Sequence, residues 1–233
     1  MGVNEWLEFP AADQVVAALA KRVGELLTEG VTERGQATLA VSGGSTPIPL
    51  FARLAEMELA WDTVTVALVD ERWVDTGSPD SNENLVRRHL LQKKAAAARF
   101  VGMKNEAATA LAGEADCAAR LQTLPRLWDC LILGMGNDGH TASLFPGAAN
   151  LAAATDPHSG RVCMAIHPPA APHERMTLTL PAILNSRQLI LHLQGPEKKK
   201  VLARAQEVGD AAEMPIRYIL RQQTTPLAVY WSP

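Results

Sequence analysis

The stretch ATLAVSGGSTP, residues 37–47, is the strongest indication of the fold in this sequence. Its first five residues form a short apolar run, which is typical of a strand covered on both faces of a sheet. Two glycines and then Pro47, which suits the first position of a helix, follow directly. A buried strand that leads through a glycine turn into a helix predicts an α/β fold.

The same alternation of helix and strand continues on both sides of this stretch. Apolar residues at helical spacing predict helices over residues 15–27, 81–91, 106–122 and 196–205. Asp13 is the candidate cap of the first helix. Further apolar runs predict strands, all in one sheet, over residues 64–69, 127–133, 162–166, 176–180, 188–193 and 227–231. We therefore expect a three-layer α/β/α architecture with a mostly parallel sheet.

The organisation of the chain gives no sign of a second unit. No repeat, low-complexity tract or long linker interrupts its 233 residues. We predict a single domain over residues 1–233, with a boundary within residues 146–160 as the alternative. In such folds the ligand lies beyond the carboxyl ends of the strands, so the loops there are the first candidates for a site.

Composition narrows the class of partner. The net charge is −3 and the basic residues are scattered, which argues against nucleic acid and against an anionic membrane. Cys117, Cys130 and Cys163 are odd in number and far apart, so we expect neither a disulfide framework nor a zinc site. The first fourteen residues lack the basic and apolar segments of a signal peptide. We expect a cytoplasmic protein that acts on a small molecule.

The first candidate loop is Ser42-Gly43-Gly44-Ser45-Thr46-Pro47. Two glycines let backbone amides approach an anion closely, Thr46 is a candidate cap, and the dipole of the following helix favours negative charge. This combination predicts a phosphate site. The alternative is an ordinary glycine turn before a capped helix. A nucleotide P-loop is excluded because its lysine is missing.

The second loop begins with Asp70-Glu71-Arg72-Trp73 and reaches Ser81-Asn82. At the carboxyl end of a buried strand, at least one of the three charged side chains is expected to point into the ligand crevice. The guanidinium of Arg72 suits a phosphate or a carboxylate because it donates two parallel hydrogen bonds. In the alternative, Arg72 pairs with Asp70 or Glu71 and has a structural role.

The third loop lies within LILGMGNDGHTASLFP, residues 131–146. Glycines at positions 134, 136 and 139 match a dinucleotide-binding pattern, but Pro146 ends any helix too early for that site. The same loop presents Asp138 and His140 close together, with backbone amides that we expect to be free. A general base and part of an oxyanion hole fit this arrangement, although an isolated histidine is more often structural.

Other catalytic patterns are missing from the sequence. No G-x-S-x-G motif occurs, and Thr141 and Ser143 are equally well explained as hydroxyls that stabilise the turn. His167 and His173 have an improbable spacing for a metal pair, and His192, like the remaining histidines, is interpreted as structural or surface. We expect no metal and no cofactor.

Five motifs in order resemble the 6-phosphogluconolactonase family, which belongs to a wider group with glucosamine-6-phosphate deaminase. They are SGGSTP at 42–47, DERWV at 70–74 with SN at 81–82, GMGNDGHTASLFPG at 134–147, ERMTLT at 174–179 and GPEKK at 195–199. The resemblance spans nearly the whole chain and implies a modified doubly wound α/β/α fold.

The resemblance also implies a substrate and its binding residues. The substrate is a phosphorylated sugar lactone, 6-phospho-D-glucono-1,5-lactone, which the family hydrolyses in the oxidative pentose phosphate pathway. Its phosphate is expected at Gly43, Gly44 and Ser45, with cationic help from Arg175 and Lys198. Ser42, Asp70 and Asn82 complete the expected binding set. The sequence leaves open whether the protein is a monomer or a homodimer.

Two alternatives to lactone hydrolysis remain. In the deaminases, a glutamate follows the equivalent of His140 by five residues and serves ring opening; here that position is Phe145. This difference favours the lactonase, because hydrolysis needs only one group that activates water and returns the proton. In the favoured scheme His140 is that group, Asp138 orients it, and Arg72 or the amides of Gly134, Gly136 and Gly139 hold the oxyanion. A non-catalytic sugar-phosphate-binding regulator is the other alternative.

Overall fold

The computed structural model describes residues 5–125, 127–169 and 171–233, and its elements alternate along the chain. Residues 1–4 lie outside the described residues. They belong to the first fourteen residues, which were predicted not to be a signal peptide. The strands are β1 Glu5–Glu8, β2 Ala37–Val41, β3 Val64–Leu68, β4 Asp70–Arg72, β5 Arg99–Val101, β6 Cys130–Leu133, β7 Cys163–Ile166, β8 Arg175–Leu178, β9 Leu189–Gln194 and β10 Leu227–Ser232. The α-helices are α1 Ala12–Arg34, α2 Ile48–Ala55, α3 Asn82–His89, α4 Ala110–Gln122, α5 Leu151–Thr155, α6 Leu180–Leu184, α7 Pro196–Gln206 and α8 Ile216–Arg221.

The central sheet has seven strands, all parallel, in the order β1-β10-β9-β6-β2-β3-β5. Helices lie on both sides of it. Strands β2 and β6 are buried at every residue, because side chains on both faces of the sheet are covered. The predicted α/β/α architecture with a mostly parallel sheet is confirmed.

A second, smaller sheet was not expected. Residues 162–166 and 176–180 were predicted to extend the parallel sheet; instead β7 and β8 pair antiparallel with each other, and β4 pairs antiparallel with β8. The connection between β7 and β8 is shorter than the dozen or so residues that a parallel crossover needs. The antiparallel arrangement follows from that short connection.

Several predicted helix boundaries also shift. Asp13 does not cap α1, because the N-cap residue is Ala11. Asp13 lies in the first turn instead, where the helix dipole stabilises its carboxylate. The helix expected from residue 106 begins at Ala110, because the Thr109 hydroxyl caps it by accepting a hydrogen bond from the Ala112 amide. Likewise α2 begins after Pro47 without a side-chain cap, so the expected capping role of Thr46 is wrong.

The sheet order brings the three candidate loops together. Strands β9, β6, β2 and β3 are consecutive neighbours, and the loops that follow β2, β3 and β6 leave from the same edge. The start of α7, which carries Lys198, follows β9 at that edge. Among the described residues, no helix is both long and apolar enough to cross a membrane.

Candidate active site

A cavity of about 310 Å³ opens at the carboxyl ends of these strands. The predicted site residues on its wall are Ser42, Gly43, Gly44, Ser45, Asp70, Arg72, Asn82, Gly134, Gly136, His140 and Lys198. Asp138, Gly139 and Arg175 do not line it, although each of them contacts residues of the site. The structure thus gathers four segments that are far apart in sequence into one pocket.

The first loop presents backbone amides to this cavity. The amides of Gly43, Gly44, Ser45 and Thr46 donate no hydrogen bond to any described residue. Gly44 has a φ of 93°, which glycine adopts without strain. At Gly43 a Cβ would lie 1.9 Å from Asn82 Oδ1, so only glycine lets the loop approach that side chain. Four unpaired amides before a helix form an anion-binding geometry.

In the second loop, Glu71 is a structural residue. It is fully buried, and its carboxylate accepts hydrogen bonds from the amides of Arg72, Asn82 and Glu83 and from the Ser81 hydroxyl at 2.7–3.0 Å. Burial raises the pKa of Glu71, and these hydrogen bonds oppose the rise. The carboxylate therefore holds the start of α3 against β4.

Arg72 does not pair with either neighbouring carboxylate. One guanidinium nitrogen, Nη1, donates to the Asp80 carbonyl at 2.6 Å, and the other guanidinium N–H groups have no acceptor among the described residues. The alternative in which Arg72 forms an ion pair with Asp70 or Glu71 is thus wrong. The guanidinium faces the cavity and has donors available for an anion.

Asp70 is held by a buried network. Its Oδ2 accepts a hydrogen bond from the Ser143 hydroxyl at 2.6 Å, and its carbonyl accepts one from the Asn82 side-chain amide at 2.9 Å. Ser143 is 1% exposed, so its hydroxyl is committed to Asp70. Nucleophilic attack by this serine would require breaking that contact.

His140 and Asp138 form a close pair in the third loop. His140 Nδ1 lies 2.6 Å from Asp138 Oδ1, and the His140 amide donates to the same oxygen at 3.1 Å. A Cβ on Gly136 would lie 2.1 Å from His140 Nδ1, so the glycine is required for the pair to fit. Burial alone would raise the pKa of Asp138, but the hydrogen bonds from His140 outweigh it and lower the pKa.

The pairing fixes the role of each ring nitrogen. With Asp138 ionised, Nδ1 carries the proton that it donates, and Nε2 is left as the basic nitrogen of a neutral imidazole. Phe145 packs on the ring with a centroid distance of 4.3 Å. The side chain remains 31% exposed, so solvent reaches it. This is the geometry of an oriented general base.

The expectation of free amides in the third loop is only partly met. The Gly136 amide donates to the His140 carbonyl at 2.8 Å, and the Gly139 amide donates to the Gly136 carbonyl at 3.1 Å. These bonds close the loop around His140, so neither amide is available for an oxyanion. The Gly134 amide has no acceptor among the described residues.

Arg175 lies beneath the site with unsatisfied hydrogen-bonding groups. It is opposite Arg72 in the β4–β8 register and 7% exposed, and its Nε and Nη1 have no partner in the described structure. Its guanidinium carbon is 5.9 Å from the centre of the Phe145 ring. Burial and then the charge of Arg72 lower the pKa of Arg175. The carboxylates of Asp70, Glu71 and Asp80 oppose this change, so the charge of Arg175 is partly balanced within the protein.

Lys198 reaches the cavity from the first turn of α7. Its Nζ donates to Asn137 Oδ1 at 2.7 Å, which directs the ammonium group towards the third loop. Burial lowers the pKa of Lys198, and the carboxylate of Asp138 opposes that change. The ammonium is therefore a third cationic group at this end of the sheet, with Arg72 and Arg175.

One cavity residue was not assigned to the site from the sequence. His192 was interpreted as structural or surface; it is buried on β9, 5% exposed, and it also lines the cavity. The pattern LILHLQ contained a signal, since a histidine interrupts an otherwise buried strand just before the GPEKK motif. Within the described ranges, no cluster of three or more histidine, cysteine or acidic residues suits a metal ion.

Comparisons with known proteins point to one family. A family model described as "Glucosamine-6-phosphate isomerases/6-phosphogluconolactonase" matches residues 10–231. The chain is 45% identical over 228 residues to a 6-phosphogluconolactonase of Mesorhizobium japonicum, covering 98% of this chain and 95% of that protein. A 6-phosphogluconolactonase of Rhizobium meliloti is also 45% identical, with 97% of each chain covered.

Solved structures agree with these relatives. The crystal structure of a 6-phosphogluconolactonase from Shewanella baltica has a TM-score of 0.96 and 45% identity, with 98% of this chain and 97% of that chain covered. A monomeric glucosamine-6-phosphate deaminase reaches a TM-score of 0.78 at 16% identity, with 98% and 97% covered. At this identity, the comparison with the deaminase supports only the similarity of fold.

Proposed function

The chain belongs to the glucosamine-6-phosphate isomerase/6-phosphogluconolactonase family, and we propose that it hydrolyses 6-phospho-D-glucono-1,5-lactone to 6-phospho-D-gluconate, a step of the oxidative pentose phosphate pathway. Relatives at 45% identity over nearly the full length carry the name of this lactonase. The observation that carries the proposal is the Asp138–His140 pair beside unpaired amides and cations in one cavity.

In the proposed first step, His140 activates water. Its Nε2 accepts a proton as the water oxygen bonds to the lactone carbonyl carbon, and the imidazolium that forms is stabilised by the carboxylate of Asp138 at 2.6 Å. A lactone is an activated ester, so no covalent enzyme intermediate is required. The commitment of the Ser143 hydroxyl to Asp70 supports direct attack by water.

The second step collapses the tetrahedral intermediate. The carbonyl oxygen bears the negative charge, for which the free Gly134 amide and the Arg72 guanidinium are the proposed donors. The carbon–ring-oxygen bond then breaks, and the proton on His140 passes to the departing oxygen. The product is the open-chain acid, and His140 returns to its neutral form.

The phosphate is proposed to bind the first loop. Four unpaired amides of residues 43–46 provide donors, and Lys198 and Arg175 provide positive charge. Arg175 does not line the cavity, so its proposed contribution is positive charge behind the wall and not a direct contact. A cytoplasmic location and a monomeric or homodimeric state remain predictions.

The deaminase alternative is less well supported. Phe145 occupies the position of the deaminase glutamate, and it packs on the His140 ring where an acid would be needed for ring opening. Moving a proton between sugar carbons needs acid and base groups at that place. The regulator alternative does not account for an oriented imidazole that is accessible from the cavity.

The test is a comparison of substrates with one enzyme preparation. Freshly made 6-phosphogluconolactone should be opened, with one proton released per turnover above the spontaneous rate, and glucosamine 6-phosphate should release no ammonia. His158→Ala serves as the control for His140→Ala, since His158 is an exposed histidine outside the cavity. Ammonia release without lactone opening would overturn the proposal in favour of the deaminase.

A further inference from the structure

The imidazole of His192 lies in the central sheet without a protein partner. The residue is 5% exposed, its Nδ1 is buried, and neither ring nitrogen forms a hydrogen bond with a described residue. A buried polar group without a partner costs about 1–3 kcal/mol, and an apolar residue of similar size would avoid that cost on β9. The other side chains of this strand up to Leu193 are leucine or isoleucine. Because Nδ1 is buried, Nε2 is the ring nitrogen that can meet a ligand in the cavity.

Strand register shows which residues are level with His192. Leu133 is opposite Leu191, so Gly134 is level with His192 one residue further on. Val41 is opposite Ile132, which brings Gly43 level with Gly134. On the other side of β9, Tyr230 of β10 is opposite His192. A Cβ on Gly134 would meet no atom within 4 Å. The space beside Gly134 is therefore open, whereas the Asn82 side chain occupies the space beside Gly43.

The two cavities that His192 borders place it near the first loop. Besides the active-site cavity, it lines a cavity of about 510 Å³ between α1, α2 and β9. Thr46 and Gln194 also line both cavities, so these three residues form the wall between them. Thr46 carries one of the unpaired amides of the first loop. The imidazole and the proposed phosphate site are therefore neighbours.

We propose that His192 donates a hydrogen bond to the phosphoryl group of the bound substrate and so contributes to selection of phosphorylated over unphosphorylated lactones. This inference rests on the proposed function, because it assigns a further binding residue to the same site. It adds a donor from β9 to the amides of residues 43–46. Gly134, level with His192, leaves open space at this point of the cavity.

The imidazole acts in its neutral form. Burial lowers the pKa of His192 to about 4, so the ring is uncharged near pH 7 and donates from one nitrogen. The charged groups that share its two cavities are Asp13, Arg53, Asp70, Arg72 and Lys198, with His140 and the neighbouring Tyr230 as further titratable groups. Burial is the cause of the shift, and none of these groups contributes to it. A phosphate dianion beside the ring would favour the protonated imidazole and raise the pKa.

Two substitutions and two lactones test the inference. His192→Leu removes the donor, whereas His192→Gln keeps one in a side chain of similar reach. For His192→Leu we expect the KM for 6-phosphogluconolactone to rise about tenfold to about a hundredfold with kcat within about twofold, since a hydrogen bond to a charged group is lost. For D-glucono-1,5-lactone, which has no phosphate, we expect kcat/KM within about twofold of wild type. His192→Gln should restore part of the lost affinity, and His158→Gln is the surface control.

A binding measurement separates this inference from lactonase activity. In histidine-labelled wild-type protein, inorganic phosphate or 6-phosphogluconate should shift the His192 ring resonances and raise the pKa of that ring. Phosphate binding through His192 in a protein that opens no lactone would overturn the proposed function while supporting the role of His192. Ring resonances that do not respond to either ligand, or an equal loss of kcat/KM for both lactones in the variants, would overturn the inference.

Discussion

Replacing Asp138 by asparagine tests the pairing that orients His140. Asparagine keeps an oxygen that accepts from the His140 amide at 3.1 Å, so the turn should persist. It removes the charge that stabilises the imidazolium across the 2.6 Å contact with Nδ1. The substitution therefore changes the electrostatics of the pair and leaves its backbone contact in place.

The expected loss follows from that one contact. A hydrogen bond to a charged group contributes about 1.5–3 kcal/mol, but 48% of the Asp138 side chain is exposed, so solvent screening favours the lower end. At about 1.4 kcal/mol per factor of ten, a loss of about 1.5–2 kcal/mol lowers kcat about tenfold to about thirtyfold. The KM should change little, because Asp138 does not line the cavity.

The chain contains a matched control for this experiment. Asp156 accepts a hydrogen bond from the His158 amide at 2.9 Å, with the same two-residue spacing but no contact to the ring. Initial rates of lactone opening at pH 7 should fall in Asp138→Asn and stay at the wild-type value in Asp156→Asn. A kcat within twofold of wild type in Asp138→Asn, or an equal loss in both variants, would refute the assigned role of the pair.

Three further predictions concern the scaffold of the site. Glu71→Ala leaves the start of α3 without its acceptor and should lower the free energy of unfolding by about 3 kcal/mol in urea titrations; a loss below about 1 kcal/mol would contradict the bonding described. Gly43→Ala brings a Cβ to 1.9 Å from Asn82 and should lower kcat/KM at least about tenfold. Gly77→Ala, on an exposed loop where the nearest atom is Asp75 Oδ1 at 3.1 Å, should not; equal activities would show that the close approach at Gly43 is unimportant. Because burial lowers the pKa of His192 from 6.5 to about 4, the free energy of unfolding should fall by about 3 kcal/mol as the pH drops from 6.5 towards about 4. This part of the acid destabilisation should disappear in His192→Gln. Identical profiles of unfolding free energy against pH in the two proteins would contradict it.

Features that depend on local sequence could be predicted. The apolar runs that form β2, β3, β6, β9 and β10 all lie within the buried central sheet. Their apolar composition is therefore sufficient to identify them as strands. Loops that directly follow such strands are identified with them, which is why residues of the first and third loops were found. Parallel neighbours then place these loops at one edge without further information.

Features that depend on distant pairing could not be predicted. β7 and β8 have the same apolar character as the central strands, and only their partner, β4, shows that they form another sheet. The sequence DER gives no sign that Glu71 is buried while Asp70 and Arg72 face the cavity, since that depends on amides of α3. The position of His192 beside the cavity could not be predicted either, because it depends on the pairing of β9 with β6, which brings Gly134 level with it.

The central claim is that His140 activates the water that opens the lactone, and one variant tests it most directly. In His140→Ala, turnover of 6-phosphogluconolactone above the spontaneous rate should fall about a hundredfold to about ten-thousandfold, the usual contribution of a general base. The Kd for 6-phosphogluconate, measured by calorimetry on the same sample, should stay within about twofold. Turnover near the wild-type value with intact product binding would contradict the account.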